Sequence, residues 1–324
     1  MKTPIAMIIF NRAKSTEMVF KQVARVRPQK LFVIADGPRP GHPEDEGNCA
    51  AARAVIERVD WECQVIKNYS DVNLGVGVRP ASGLSWLFEQ VDRAIIFEDD
   101  CVPHLSFFPF CEELLERYRD DPRVMHISGW CPFEAYFGTK MPYSYYFSRA
   151  LSGHGWATWA RAWRHFDFDI KTWPALKNTG WLREVIGYPK MVNFMSRLFE
   201  HHFLDTGNQI GWDHQWSFSV WAQNGLGIRP GVNLIHYHGF DEDATHRFWC
   251  KKQEYFDQPA SAMAFPLSHP RQVVREQNMD YFLYKTFFSA RPRDKRFKRL
   301  YGRTRARISA VLPEPAKDLI RKWR

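Results

Sequence analysis

Three short apolar runs within residues 1–100 restrict this chain to an α/β fold. Residues 4–10 (PIAMIIF), 31–35 (LFVIA) and 94–97 (AIIF) each stop abruptly at polar residues. Unbroken runs of this length read as strands buried on both faces. The intervening segments have helical spacing. Ser15 is placed to cap a helix carrying Met18, Val19, Val23 and Val26, which Arg27-Pro28 ends. Further helices are expected near 48–59 and 80–91, with a strand near 63–67 between them. Strands and helices alternating in this way make a parallel sheet with helices on its faces.

A parallel sheet presents ligands to the carboxyl ends of its strands. Three of those ends carry polar residues at once: Asn11-Arg12, Asp36-Gly37 and Glu98-Asp99-Asp100. A single such end is explained by the turn that begins there. Three together, one a triple carboxylate, point to a shared site. Adjacent carboxylates repel and need a cation or hydrogen-bond donors to stay ionised. Hard oxygen ligands suit Mn²⁺ or Mg²⁺, which bridge carboxylates to substrate diphosphates. Asp36 can accept from a pyrimidine ring N–H or serve as a plain turn aspartate. Asn11 and Arg12 are placed to meet base, ribose or diphosphate, and Arg12 suits phosphate through its fork of donors. Arg79, after the glycine-bearing loop Asn73–Gly77, is a second candidate for the diphosphate.

The second half is less regular. A helix is expected near 105–119, with strands near 124–128, 143–149 and 228–236. In SGHGWATWARAW (152–163), Trp156, Trp159 and Trp163 fall at spacings of three and four, which places them on one helix face. In GWDHQWSFSVW (211–221), Asp213 stands at a helix start between Trp212 and Trp216. Desolvation by those rings would raise its pKa toward that of a useful base, and an N-cap is its plainer role. In IHYHG (235–239), His236 and His238 share one face of a strand and can meet a metal or a phosphate oxygen. Glu242, Asp243 and His246 follow in an acidic loop.

Charge and cysteine content exclude other classes. The net charge is +9, but residues 289–324 alone hold 13 Lys and Arg against 3 Asp and Glu, so the rest is close to neutral. That argues against a specific nucleic-acid groove across the body. The basic tail mixes in Phe297, Leu300, Tyr301, Ile308 and Leu312, which suits an anionic membrane surface or a solvated extension. None of the 6 cysteines forms a CxxC pair, so neither a zinc knuckle nor a disulfide framework is expected. No run reaches the roughly 18 apolar residues of a membrane span. The N-terminal run meets Asn-Arg too early for a signal peptide. A cytoplasmic protein is expected, soluble or peripheral on the inner face of the membrane.

The pattern resembles the GT-A glycosyltransferases, and within them the N-acetylglucosaminyltransferase I type and its bacterial relatives. PIAMIIFNR and LFVIADGPR resemble that family's opening and uracil-binding strands. AIIFEDDCVP resembles its metal motif, GHGWATWARAW its acceptor-side segment, GWDHQW its base motif and RPGVNLIHYHG its closing segment. The likeness covers about residues 4–246 in the same order. It implies a Rossmann-like, mixed and mainly parallel sheet with helices on both faces. A catalytic domain would span 1–288, with a donor half at 1–103, an acceptor half at 104–288 and the tail beyond. It implies inverting transfer from a nucleotide sugar, UDP-linked, to a carbohydrate or lipid-linked acceptor. Asp100 would bind Mn²⁺ or Mg²⁺, and Glu98 and Asp99 the ribose, donor sugar or metal-bound water. Asp36 would hold uracil, Asp213 would be the base, and His238 would close on diphosphate or metal. The chain departs at Asp213-His214, where the family has two Asp. A nucleotidyltransferase is disfavoured because FNRAKST lacks a glycine-rich loop, and a carbohydrate-binding module would have no use for the carboxylate run.

Overall fold

The apolar runs become the central strands of one sheet, as a computed structural model shows for residues 1–131, 134, 142–204, 211–238 and 258–290. Strands β1 (Ile5–Ile9), β2 (Lys30–Ala35), β3 (Gln64–Tyr69) and β4 (Arg93–Glu98) run parallel in the order β3-β2-β1-β4. The crossovers are α1 (Ala13–Val26), α2 (Glu44–Ile56) and α3 (Gly75–Phe88). After a short strand β5 (Cys101–Pro103) comes α4 (Phe107–Arg117). The sheet then grows through β6 (Val124–Ser128), β7 (Tyr145–Ser148), β8 (Trp156–Trp159) and β9 (Leu226–Pro230), giving β3-β2-β1-β4-β8-β6-β9-β7. β8 lies antiparallel between β4 and β6, and β7 antiparallel against β9. The expected class is therefore met: a mixed, mainly parallel sheet with helices on both faces.

Alternation along the strands divides the core. Ile5, Met7, Ile9, Val33 and Phe97 face α1, α2 and α4, whereas Ala6, Ile8, Phe32, Ile34 and Ile96 face α3. Gly83 sets the approach of α3, since a Cβ there would lie 2.3 Å from Ile34. On the same side sit the one-turn helix α5 (Ala160–Trp163) and, further along the chain, α9 (Asp213–Ala222). Between them come α6 (Trp173–Leu176), α7 (Trp181–Ile186) and α8 (Pro189–Leu204). These pack on Phe218 and Trp221 of α9, whose Trp216 and Val220 face the sheet, so α9 buries apolar residues on two sides while Asp213 at its start stays exposed. The last described helix, α10 (Gln277–Ala290), is tied to β7 through Asp280, which accepts from Ser148 Oγ, the Arg149 amide and Arg275.

Three local expectations are corrected. α1 begins at Ala13 with Arg12 at its N-cap, so Ser15 lies inside the first turn and caps nothing. Trp156 and Trp159 are not on a helix. They belong to β8 and point to opposite faces, Trp156 toward α3 and α9 and Trp159 toward α4. A spacing of three separates faces along a strand, whereas along a helix it joins them. The strand expected at 228–236 divides into β9 and β10 (Ile235–Tyr237). The tail beyond residue 290, the segment with Glu242, Asp243 and His246, and Cys250 lie outside the described residues.

Candidate active site

The order β3-β2-β1-β4 reverses direction between β1 and β4, and the crevice at the carboxyl ends of these two strands is the topological switch point. β1 delivers Asn11 and Arg12 there, and β4 delivers Glu98, Asp99 and Asp100. The ribbon of β5 and β10 closes the third side. Tyr237 pairs with Cys101, and the His238 amide donates to the Asp100 carbonyl at 2.8 Å. Residues 98–101 and 235–238 thus meet through backbone hydrogen bonding.

Inside the crevice Arg12 is the counter-charge. Its Nη2 donates to Asp99 Oδ1 and, at 3.2 Å, to Asp100 Oδ2. Burial works against the Arg12 charge, but Asp99 and Asp100 more than offset it, so its pKa is raised. Asp99 is pushed up to about 6, chiefly by burial and against the pull of Arg12. Glu98 is pushed up to about 8 by burial and by Asp100, while Trp212 Nε1–H donates to its Oε1 at 3.1 Å. One oxygen in this cluster, Asp99 Oδ2, is buried without a hydrogen-bond partner. A buried polar atom in that condition is a site waiting for a donor or a cation.

Among the described residues no three His, Cys, Asp or Glu side chains converge as a metal cage. Mg²⁺-like ions need none: one or two carboxylates hold them, and water and substrate phosphate complete the shell. Asp100, with the unsatisfied Asp99 oxygen beside it, fits an ion shared with a substrate. His238 lies within the same ribbon, its ring centroid 4.0 Å from that of His236.

Other sequence candidates have different work. Asp36 Oδ1 accepts from the amides of Gly37 and Leu74, and Oδ2 from the Gly75 amide and Asn73 Nδ2. Those four donors fill the accepting capacity of a carboxylate, so Asp36 organises the 73–75 loop and has no site left for uracil. Burial raises its pKa to about 6, although those amides pull it down. Arg79 is buried, with Nε donating to the Ala35 carbonyl and Nη2 to Asn68, and so fastens the ends of β2 and β3 instead of facing a diphosphate. Asn11 donates to Asp45 Oδ1 at 2.7 Å. Arg39 also holds that carboxylate, whose pKa falls to about 2, foremost through the Arg39 hydrogen bond.

Asp213 opens α9 with half its side chain exposed, 3.2 Å from His214 Nδ1. It is not enclosed by aromatic rings as expected: Trp212 and Trp216 turn into the core, and Asp213 turns away from them. Its charge still acts on Glu98, which places it at the crevice. Under Glu98 runs an aromatic column. Trp212 stacks on Trp156 at 5.2 Å, and Trp156 on His126 at 5.1 Å. His126 accepts from Trp216 Nε1 and bonds the Ser152 carbonyl, and burial lowers its pKa to about 3.

The structure adds residues that the sequence did not single out. Trp130, His154 and Tyr237 form a ring series with centroids 4.8 and 4.3 Å apart. Tyr237 lies close enough to Asp100 to feel its charge, while burial is the larger cause of its raised pKa. The only sequence signal was alternation in IHYHG, which sends Tyr237 to the face opposite the two histidines.

No protein-family profile matches the chain, and no curated protein does. Among solved structures it is similar to S. aureus TarS 1–349, at 10% identity over 49% of this chain and 47% of that one, with a TM-score of 0.34. It is similar to mouse xyloside xylosyltransferase 1 in its apo form, at 11% identity over 69% and 84%, with a TM-score of 0.37. It is also similar to 4-diphosphocytidyl-2C-methyl-D-erythritol synthase from Anaerococcus prevotii, at 7% identity over 89% and 99%, with a TM-score of 0.32. The chain thus spans less than half of the TarS structure, and likenesses this distant do not bear on activity.

Proposed function

We propose that this protein is a glycosyltransferase that moves a sugar from a nucleoside-diphosphate donor to an acceptor hydroxyl with inversion. The observation that carries this reading is the Glu98–Asp100 carboxylate run at the switch point, facing Arg12 and holding one buried, unsatisfied oxygen. A site of this kind suits a diphosphate brought with a divalent cation. Asp100 would hold Mn²⁺ or Mg²⁺ with His238 nearby, and the ion would supply positive charge to the leaving diphosphate. Arg12 would contact the same group, and Glu98 and Asp99 the ribose or donor sugar. A UDP-linked donor rests on the sequence resemblance alone, since Asp36 is occupied.

Asp213 serves as the base. Its carboxylate takes the acceptor hydroxyl proton as that oxygen bonds to the anomeric carbon. The bond from that carbon to the diphosphate breaks, and its electron pair leaves with the diphosphate. Half-exposure keeps Asp213 accessible to an acceptor from solvent. The ring series Trp130, His154 and Tyr237 offers faces on which sugars stack. The acceptor would be a carbohydrate or lipid-linked glycan in polysaccharide, lipopolysaccharide or glycoconjugate synthesis. The basic tail would bring the enzyme to an anionic membrane surface.

The test is nucleotide release from UDP-, GDP-, dTDP- and CMP-linked sugars with Mn²⁺, in the wild type and in folded Asp100→Ala. Release from one donor class by the wild type, lost in the variant, supports the reading. Release from none, with no binding of any, sinks it.

A further inference from the structure

The acidic crevice contains a cation supplied by the chain itself. β1 and the N-cap position of α1 fix the Arg12 backbone over the carboxylates, and one guanidinium nitrogen serves both Asp99 and Asp100. An arginine in a protein does not lose its proton. Any second cation approaching those oxygens therefore meets a fixed like charge within a few ångströms, in a crevice where water screens poorly.

We infer that Arg12 competes with the divalent cation for Asp99 and Asp100, so that the crevice admits the ion together with a nucleoside diphosphate and not ahead of it. The inference rests on the donor-site reading above. Without a diphosphate, Arg12 satisfies Asp99 Oδ1 and Asp100 Oδ2, and among the described residues no cage of three His, Cys, Asp or Glu repays an ion for losing its water. A diphosphate changes both sides of the exchange. It offers the guanidinium a bidentate anionic partner, and it gives the ion the oxygens the protein does not. It also adds negative charge, so the crevice then needs both cations. The unsatisfied Asp99 Oδ2 agrees with this, because Arg12, together with the Cys101 thiol that donates to Asp100 Oδ1, leaves the acidic pair incompletely partnered.

The experiment is Mn²⁺ binding, by electron paramagnetic resonance of free Mn²⁺ and by thermal shift, with and without UDP. It compares the wild type, Arg12→Gln and Arg12→Gln/Asp100→Asn, with circular dichroism to confirm folding. Without UDP, Arg12→Gln is expected to bind Mn²⁺ at least tenfold more tightly than the wild type, and to gain Tm from Mn²⁺ where the wild type does not. The double variant loses that gain, which locates it at Asp100. If Arg12→Gln does not fold, Arg12→Lys takes its place: it keeps the charge but not the guanidinium's fixed reach to the carboxylates, and gives a smaller gain. Mn²⁺ binding by the folded variant no tighter than by the wild type, without UDP, overturns the competition. That arm contains no nucleotide, so it stands apart from the donor reading. The donor reading falls if UDP and the other nucleoside diphosphates leave wild-type Mn²⁺ affinity unchanged.

Discussion

Trp212 donates its indole N–H to Glu98 across 3.1 Å, joining the residue before α9 to the end of β4. The bond makes α9 and the acidic strand end one unit. Trp212→Phe keeps a ring against Trp156 but removes the donor. Burial and Asp100 push the Glu98 pKa up to about 8, so near neutral pH the acceptor is mostly a neutral carboxyl, and a hydrogen bond to it contributes about 0.5–1.5 kcal/mol. Urea denaturation is expected to show a loss of that order, with the m-value unchanged. An unaltered midpoint would mean that water replaces the indole without cost.

Arg79 distinguishes a structural cation from a ligand-binding one. Its guanidinium is spent on the Ala35 carbonyl and on Asn68. Arg79→Met removes these hydrogen bonds, at about 0.5–1.5 kcal/mol each, while the Ala35 carbonyl keeps the Ser70 amide as a donor. The variant should unfold at lower urea and yet, while folded, bind UDP with wild-type affinity. A selective loss of UDP affinity at unchanged stability would return Arg79 to the donor site.

Asp36 gives stability a pH dependence with a defined sign. Its folded pKa is raised from 3.8 to about 6, so the folded state holds the proton more tightly than the unfolded chain. Its contribution is fully present below pH 3.8 and is lost as pH rises through about 6. The whole window carries about 2–3 kcal/mol. Asp36→Asn should remove that part of the slope between those limits, as measured by urea midpoints across pH. An identical slope in the variant would contradict the assignment.

Asp213→Asn tests the base apart from donor binding. Loss of a general base costs about 10²–10⁴ in rate. Transfer should fall by that factor while Mn²⁺-dependent UDP affinity is unchanged. Full transfer activity would remove Asp213 from the mechanism.

The sequence displayed the sheet better than it displayed the site. β1, β2 and β4 were legible because parallel strands buried on both faces leave no polar interruption. β8 was not, because Trp156, Trp159 and Trp163 satisfy helical spacing while lying on a strand followed by one turn of helix. The carboxylate run and Arg12 could be read as strand-end residues. Their pairing could not, since it depends on β1 and β4 being neighbours across 80 and more intervening residues. Asp36 and Arg79 were given ligands because their true partners are mostly backbone groups of a loop and two strand ends, which leave no mark on residue type. The Trp212–Glu98 bond spans 114 positions and has no local signature.

The central claim is that the crevice between β1 and β4 binds a nucleoside diphosphate through the acidic cluster. Its most direct test is calorimetric titration of UDP with Mn²⁺ into the wild type and into folded Asp100→Asn. The account predicts saturable, Mn²⁺-dependent binding by the wild type and at least a tenfold loss in the variant. Equal affinity in the two proteins, or binding indifferent to Mn²⁺, would contradict it.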